Sequence, residues 1–105
     1  MSPDGVLFVS APTLASYDSL FRIDAEGRVE TLKVPFGRPQ GLAFDSAGAL
    51  HVVEALAGSS GVYAMHPNRD PELVVAGAGL VGLAFGPGGR LAVASNGSVY
   101  SFAPQ

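Results

Sequence analysis

Gly41-Leu42-Ala43-Phe44 returns as Gly82-Leu83-Ala84-Phe85, and the offset of 41 residues holds without a gap through Gly48/Gly89, Leu50/Leu91 and Val52/Val93. A shortened copy precedes both. Ser2-Pro3-Asp4-Gly5 aligns with Asp45-Ser46-Ala47-Gly48 at an offset of 43, and Leu7 and Val9 then align with Leu50 and Val52. Downstream, Leu20-Phe21-Arg22-Ile23 aligns with Val62-Tyr63-Ala64-Met65 and with Val99-Tyr100-Ser101-Phe102. The 105 residues are two and a half copies of one unit roughly 42 residues long, a period at which radial, four-stranded repeats occur.

Each copy reads as short strands punctuated by Gly, Pro, Asp and Asn. The first strand is Gly41–Phe44 or Gly82–Phe85, and a glycine-ending turn follows it. The second is Leu7–Ser10, Leu50–Glu54 or Leu91–Ser95. The third is Ser19–Asp24, Gly61–Met65 or Ser98–Phe102, and the fourth Val29–Lys33 or Glu72–Val75. Asn96-Gly97 between two β runs suits a tight type I′ hairpin. No stretch keeps a 3.6-residue period, so essentially no helix is expected. Leu50-His51-Val52-Val53 and Leu91-Ala92-Val93-Ala94 lack the alternation of a sheet with one wet face, which implies burial on both. Gly41, Ala43, Gly82 and Ala84 are small enough for strands crowded near an axis. The expected fold is all-β: a partial β-propeller of about two and a half four-stranded antiparallel blades. Residues 1–38 form a blade lacking its inner strand, 39–79 a complete blade, and 80–105 a blade lacking its outer strand.

Composition narrows the function. Apolar residues make up 48% and charged residues 14%, so a disordered tail is excluded. Six basic residues are scattered singly in a chain of net charge −3, which argues against a nucleic-acid partner. No apolar run approaches a membrane span. There is no cysteine, so disulfides and thiolate metal sites are excluded and the compartment stays open. No Gly-x-Ser-x-Gly elbow occurs. Gly77-Ala78-Gly79-Leu80-Val81-Gly82 matches G-x-G-x-x-G by letter, but it precedes a strand and opens no helix, so the dinucleotide reading fails.

Antiparallel order places the start of a first strand and the end of a second strand at the same end of a blade. Arg38, Gln40, Glu54, Ala11 and Ser95 should therefore share one rim, covered by the loops 11–18, 55–60 and 96–97, where binding residues collect. Glu54 is either a ligand-facing acceptor or the partner of Arg38 in an ion pair. Tyr17 is a stacking residue or a cap over the rim, and Asn96 is a further rim candidate. His51 reads as a packed core side chain and His66 as solvent-facing, too far apart in role for a metal pair. Asp4, Asp24, Asp45 and Asp70 fall at turns, where Asp bonds its own backbone. Glu26, Arg28, Glu30 and Lys33 read as a solvated edge.

Ser2-Pro3-Asp4-Gly5-Val6-Leu7-Phe8-Val9 and Pro39-Gln40-Gly41-Leu42-Ala43-Phe44-Asp45-Ser46-Ala47-Gly48-Ala49-Leu50 resemble elements of the gluconolactonase and senescence-marker-protein (regucalcin-like) family. The second also resembles blades of NHL-repeat proteins. The resemblance implies a six-bladed propeller with a divalent metal such as calcium in its central channel, and hydrolysis of sugar or other lactones by metal-activated water. It implies metal-ligand positions at Gln40 and Glu54. Gln40 stands where the family has Asn or Asp, and an amide cannot act as a general base, so no catalytic residue is assigned. Val81 is the equivalent of Gln40 one unit later. Ala11 and Ser95 are the equivalents of Glu54.

Three functions follow: a gluconolactonase-like fragment, the C-terminal half of a six-bladed propeller with metal-dependent lactone hydrolysis in question; a non-catalytic NHL-like binding or scaffold propeller that completes its ring by self-association; or a small self-assembling propeller that binds sugar at blade junctions. The expected partners are a second copy or the missing half of the same propeller, and a lactone or sugar ligand.

Overall fold

A computed structural model of the chain describes residues 5–10, 19–32, 39–54, 60–66, 69–77, 79–95 and 97–103. Among the described residues ten strands build three antiparallel sheets. The first holds β1 (Leu7–Ser10), β2 (Leu20–Ile23) and β3 (Val29–Leu32); the second holds β4 (Pro39–Phe44), β5 (Leu50–Glu54), β6 (Gly61–His66) and β7 (Arg69–Ala76). The third holds β8 (Leu80–Phe85), β9 (Leu91–Ser95) and β10 (Val99–Phe102). In every sheet, strands adjacent in sequence are adjacent in space. The described residues contain no α-helix, only a single 3-10 turn at Pro87–Gly89.

Three strands begin two or more residues earlier than the sequence implies, β8 among them, at Leu80 and not Gly82. β4 begins at Pro39, which pairs with Glu54, because proline is tolerated as the first residue of a strand. β7 starts at Arg69 and takes in Asp70 and Pro71, so Asp70 lies in a strand and not at a turn. β7 is the outer strand of its sheet, where the missing N–H of Pro71 leaves no ladder partner unmet.

The inner strands β4 and β8 share an irregularity. Pro39 faces Glu54 and Gly41 faces Val53, so Gln40 is an extra residue without a ladder partner. Leu80 faces Ser95 and Gly82 faces Ala94, which leaves Val81 in the same state one unit later. A bulge of this kind turns the strand and re-aims its side chain.

The sheets stack face to face. Leu50 and Val52 of β5 join Leu20, with Phe8, Leu32, Leu42, Phe44, Tyr63 and Met65 around them, between the first and second sheets. Val53 points the other way, into a cluster with Val62, Leu80, Leu91 and Val93 between the second and third. Strand alternation thus buries both faces of β5, as the unbroken apolar run implied. The two interfaces are copies. Phe8 meets Phe44 edge to face at 5.4 Å, and His51, one unit after Phe8, meets Phe85 at 4.8 Å in the same manner. The fold is all-β, three neighbouring blades of a partial β-propeller.

Candidate functional site

The rim is assembled by strand register. Pro39 opposite Glu54, and Leu80 opposite Ser95, place the beginnings of β4 and β8 at the same end as the ends of β5 and β9. Gln40 sits there on the bulge and is half-buried. Glu54 is 1% exposed and is not without a partner. Burying a carboxylate costs several kcal/mol unless partners compensate it, so engagement is the condition for its being there. The third blade offers no equivalent. Val81 replaces Gln40 and is 43% exposed. Ser95 spends its groups on the hairpin, its N–H donating to Ser98 O at 2.9 Å and its Oγ to the same oxygen at 3.4 Å. Arg38, Tyr17 and Asn96 lie outside the described residues, as do Ala11 and any Arg38–Glu54 ion pair.

Gln40 and Glu54 together supply two side chains with oxygen donors. Calcium takes six to eight oxygens, commonly with several carboxylates among them. Among the described residues no three His, Asp or Glu side chains gather where they could hold a cation. This donor set does not by itself fit the divalent metal that the family resemblance implies.

The remaining titratable groups have structural work. His51 is 7% exposed, with Nδ1 3.2 Å from Ala49 O and its ring against Phe85, a packed core histidine. His66 is more covered than a solvent-facing residue, at 22% exposure, and its Nε2 lies 2.9 Å from Glu72 Oε1 across the β6–β7 pair. Asp45 Oδ1 accepts from the N–H groups of Ala47 at 3.0 Å and Ala49 at 2.9 Å, closing the β4–β5 turn. Asp24 repeats the device between β2 and β3, accepting from Glu26 N–H and Arg28 N–H, and from Arg28 Nε at 2.9 Å. The Arg28 N–H is the largest influence and holds the Asp24 carboxyl below the ordinary carboxylate value; desolvation, the next largest, opposes it, and the Arg28 guanidinium and Glu26 add smaller lowering contributions. Arg22 and Glu30 form an exposed pair at 2.9 Å on the same outer edge.

Sequence reasoning placed Gln40 and Glu54 at one rim but missed the bulge that sets Gln40 apart. Its signal was available: Pro39-Gln40 and Leu80-Val81 precede Gly-Leu-Ala-Phe in both copies, and a glycine two residues after a strand start marks such an irregularity.

The fold has a counterpart among solved structures. A crystal structure described as a "putative gluconolactonase" superposes with a TM-score of 0.75 and 21% sequence identity, over 99% of this chain and 42% of that one. At this identity the likeness is one of fold: the chain is gluconolactonase-like in architecture and spans less than half the length of the protein it matches. No family model and no curated protein matches the chain.

Proposed function

We propose that the chain is a wall-forming segment of a gluconolactonase-like propeller: three consecutive blades of a six-bladed ring that contribute scaffold and one polar rim pair, not a self-sufficient metal-dependent lactone hydrolase. Two and a half units out of six is the same share as the 42% of the matched chain that this one spans. The observation that carries the reading is the rim itself. It offers one buried carboxylate, Glu54, and one amide, Gln40, and neither Val81 nor the hairpin-bound Ser95 adds a carboxylate. With Glu54 buried and partnered, the half-buried Gln40 amide is the described rim group open to a ligand, and it suits hydrogen bonding to a neutral polar group such as a sugar hydroxyl better than charge neutralisation of a cation.

The test is calorimetric titration of the folded protein with calcium chloride and zinc chloride, beside a lactone-hydrolysis assay in the same buffers. No saturable heat and no rate above background are expected. Saturable cation binding that Glu54→Gln and Gln40→Ala both abolish would overturn the reading.

A further inference from the structure

We propose that the two open sheet faces are the two sides of one heterologous interface, and that a second copy of this chain docks there head to tail. The β8–β9–β10 sheet of one copy receives the β1–β2–β3 sheet of the other, and the reciprocal contact closes a ring of six sheets. The inference rests on the reading of the chain as a ring wall and names the partner that completes the wall.

The interfaces the chain already makes join unlike faces. In the middle sheet one face is large: Leu50, Val52, Tyr63 and Met65 pack toward the first sheet. The opposite face carries Gly41, Ala43, His51, Val53, Val62 and Ala64 and takes in Leu80, Leu83, Phe85, Leu91 and Val93 of the third sheet. Each internal junction therefore joins unlike faces in the same order.

The two open faces continue that order. On the third sheet, Gly82, Ala84, Ala92 and Ala94 stand one unit after Gly41, Ala43, His51 and Val53, and Val99 opposite Ala94 stands where Val62 faces Val53. On the first sheet, Leu7 and Val9 correspond to Leu50 and Val52, and Phe21 and Ile23 to Tyr63 and Met65. Register sets Leu7, Ile23 and Val29 in one cross-strand row and Val9, Phe21 and Thr31 in the next. One open face is thus a copy of the large side of an existing junction, and the other a copy of its small side.

Chemistry and shape agree with that assignment. The described residues of the large face carry no charge, the Arg22–Glu30 pair belonging to the other face of the first sheet, and the one charge at the small face is the Arg90 guanidinium, which donates to Ser101 Oγ at 2.9 Å beside Ala92. Val99 is 75% exposed, Val29 64% and Leu7 38%, and apolar faces of this kind mark interaction surfaces. A shallow hollow of about 270 Å³ lies on the small face among Gly82, Ala84, Ala92, Ala94 and Val99, open to side chains from a large face. Unlike faces give rings when the rotation closes. Two copies provide six sheets and twice 42% of the length of the matched protein, which is most of it.

Sedimentation velocity and equilibrium on the 105-residue chain test the proposal, with Val99→Arg blocking the small face and Leu7→Arg blocking the large one. Both positions are exposed, and circular dichroism checks that each variant is folded. The expected result is a compact dimer whose dissociation constant rises at least tenfold in either variant alone. An equimolar mixture of the two variants should recover dimer, because one blocked face of each meets the other and one unblocked pair remains. A monomer at 100 µM, an open-ended series of oligomers, or a dimer that Val99→Arg leaves intact would overturn it; the last would mean that like faces pair. These masses are independent of the cation and lactone assays, so failure here and failure of the ring-wall reading are distinguishable.

Discussion

A Cβ placed on Gly41 would stand 3.4 Å from the Cα of Gly82. The two glycines hold the same position in successive units, 41 residues apart, and they mark where the inner strands β4 and β8 converge. Val81 O at 3.5 Å and Leu83 Cδ2 at 3.6 Å close the rest of the space. Among the described residues Gly82 itself meets nothing within 4 Å, because the third sheet has no described sheet beyond it.

Gly41→Ala should be tolerated, since its contacts are at ordinary van der Waals separation. Gly41→Val adds two methyl groups against backbone and should cost about 1–3 kcal/mol by overpacking. Gly82→Val should cost less than about 0.5 kcal/mol in the same denaturant titration. Equal losses at the two positions would mean that β4 and β8 do not converge as described.

Gly61 is constrained differently. It begins β6 between Glu54 on one side and Ala76 on the other. A Cβ there would collide with Val75 O and come within 2.9 Å of Leu73 Cδ1 and 3.1 Å of Ala76 Cα. The carbonyl is held in the β6–β7 ladder and cannot withdraw without breaking it. Gly61→Ala should destabilise by more than about 3 kcal/mol, seen as lost cooperativity in thermal unfolding. Gly79→Ala, at φ +75° with open space around it, should cost only about 1–2 kcal/mol.

The second strands of all three copies, Leu7–Ser10, Leu50–Glu54 and Leu91–Ser95, fall on the residues that the repeat marks. Their apolar runs are short and bounded by turn residues, and in β5, which has a sheet on either side, every residue is buried, so local pattern and tertiary environment agree. Agreement fails where a partner strand decides. Asp70 reads as a turn residue by itself, but the β6 strand continues to His66 and draws Arg69 into register. The Gln40 bulge is likewise a matter of register between β4 and β5, which no single strand records. Glu54 was legible as a rim residue through antiparallel order. Its near-total burial was not, because depth depends on what covers the rim and not on the strand that carries the residue.

The Asp24 turn gives a pH dependence with a definite sign. The carboxylate accepts from two backbone N–H groups and the Arg28 guanidinium, and its folded-state value lies below the ordinary 3.8. A depressed value means that the turn stabilises the fold fully above the unfolded value, and the contribution fades as pH falls through the folded value. An NMR titration of the Asp24 carboxyl carbon should give a midpoint below 3.8. In Arg28→Ala the midpoint should move up but stay below 3.8, because the residue 28 N–H, the largest cause, survives the substitution. A return to the ordinary value in that variant would assign the shift to the guanidinium instead.

The third unit lacks this device, and supplying it should strengthen the protein. Gly86 occupies the place of Asp45. Its N–H donates to Arg90 O at 2.8 Å as Asp45 N–H donates to Ala49 O at 3.0 Å, and Gly89 N–H returns to Gly86 O as Gly48 N–H returns to Asp45 O. The backbone of Gly86, at φ −101° and ψ −174°, is open to any residue, and a Cβ would approach nothing closer than Arg90 O at 3.8 Å. Gly86→Asp therefore introduces a carboxylate that can accept from the N–H groups of residues 88 and 90, as Asp45 accepts from 47 and 49. Replacing glycine also lowers the entropy of the unfolded chain. The two effects together should raise stability by about 0.5–1.5 kcal/mol, or Tm by a few degrees. Gly86→Ala keeps the entropic part and omits the hydrogen bonds, so it should recover only about half of the gain. Equal gains from Asp and Ala would show that the new carboxylate makes no bond in the turn.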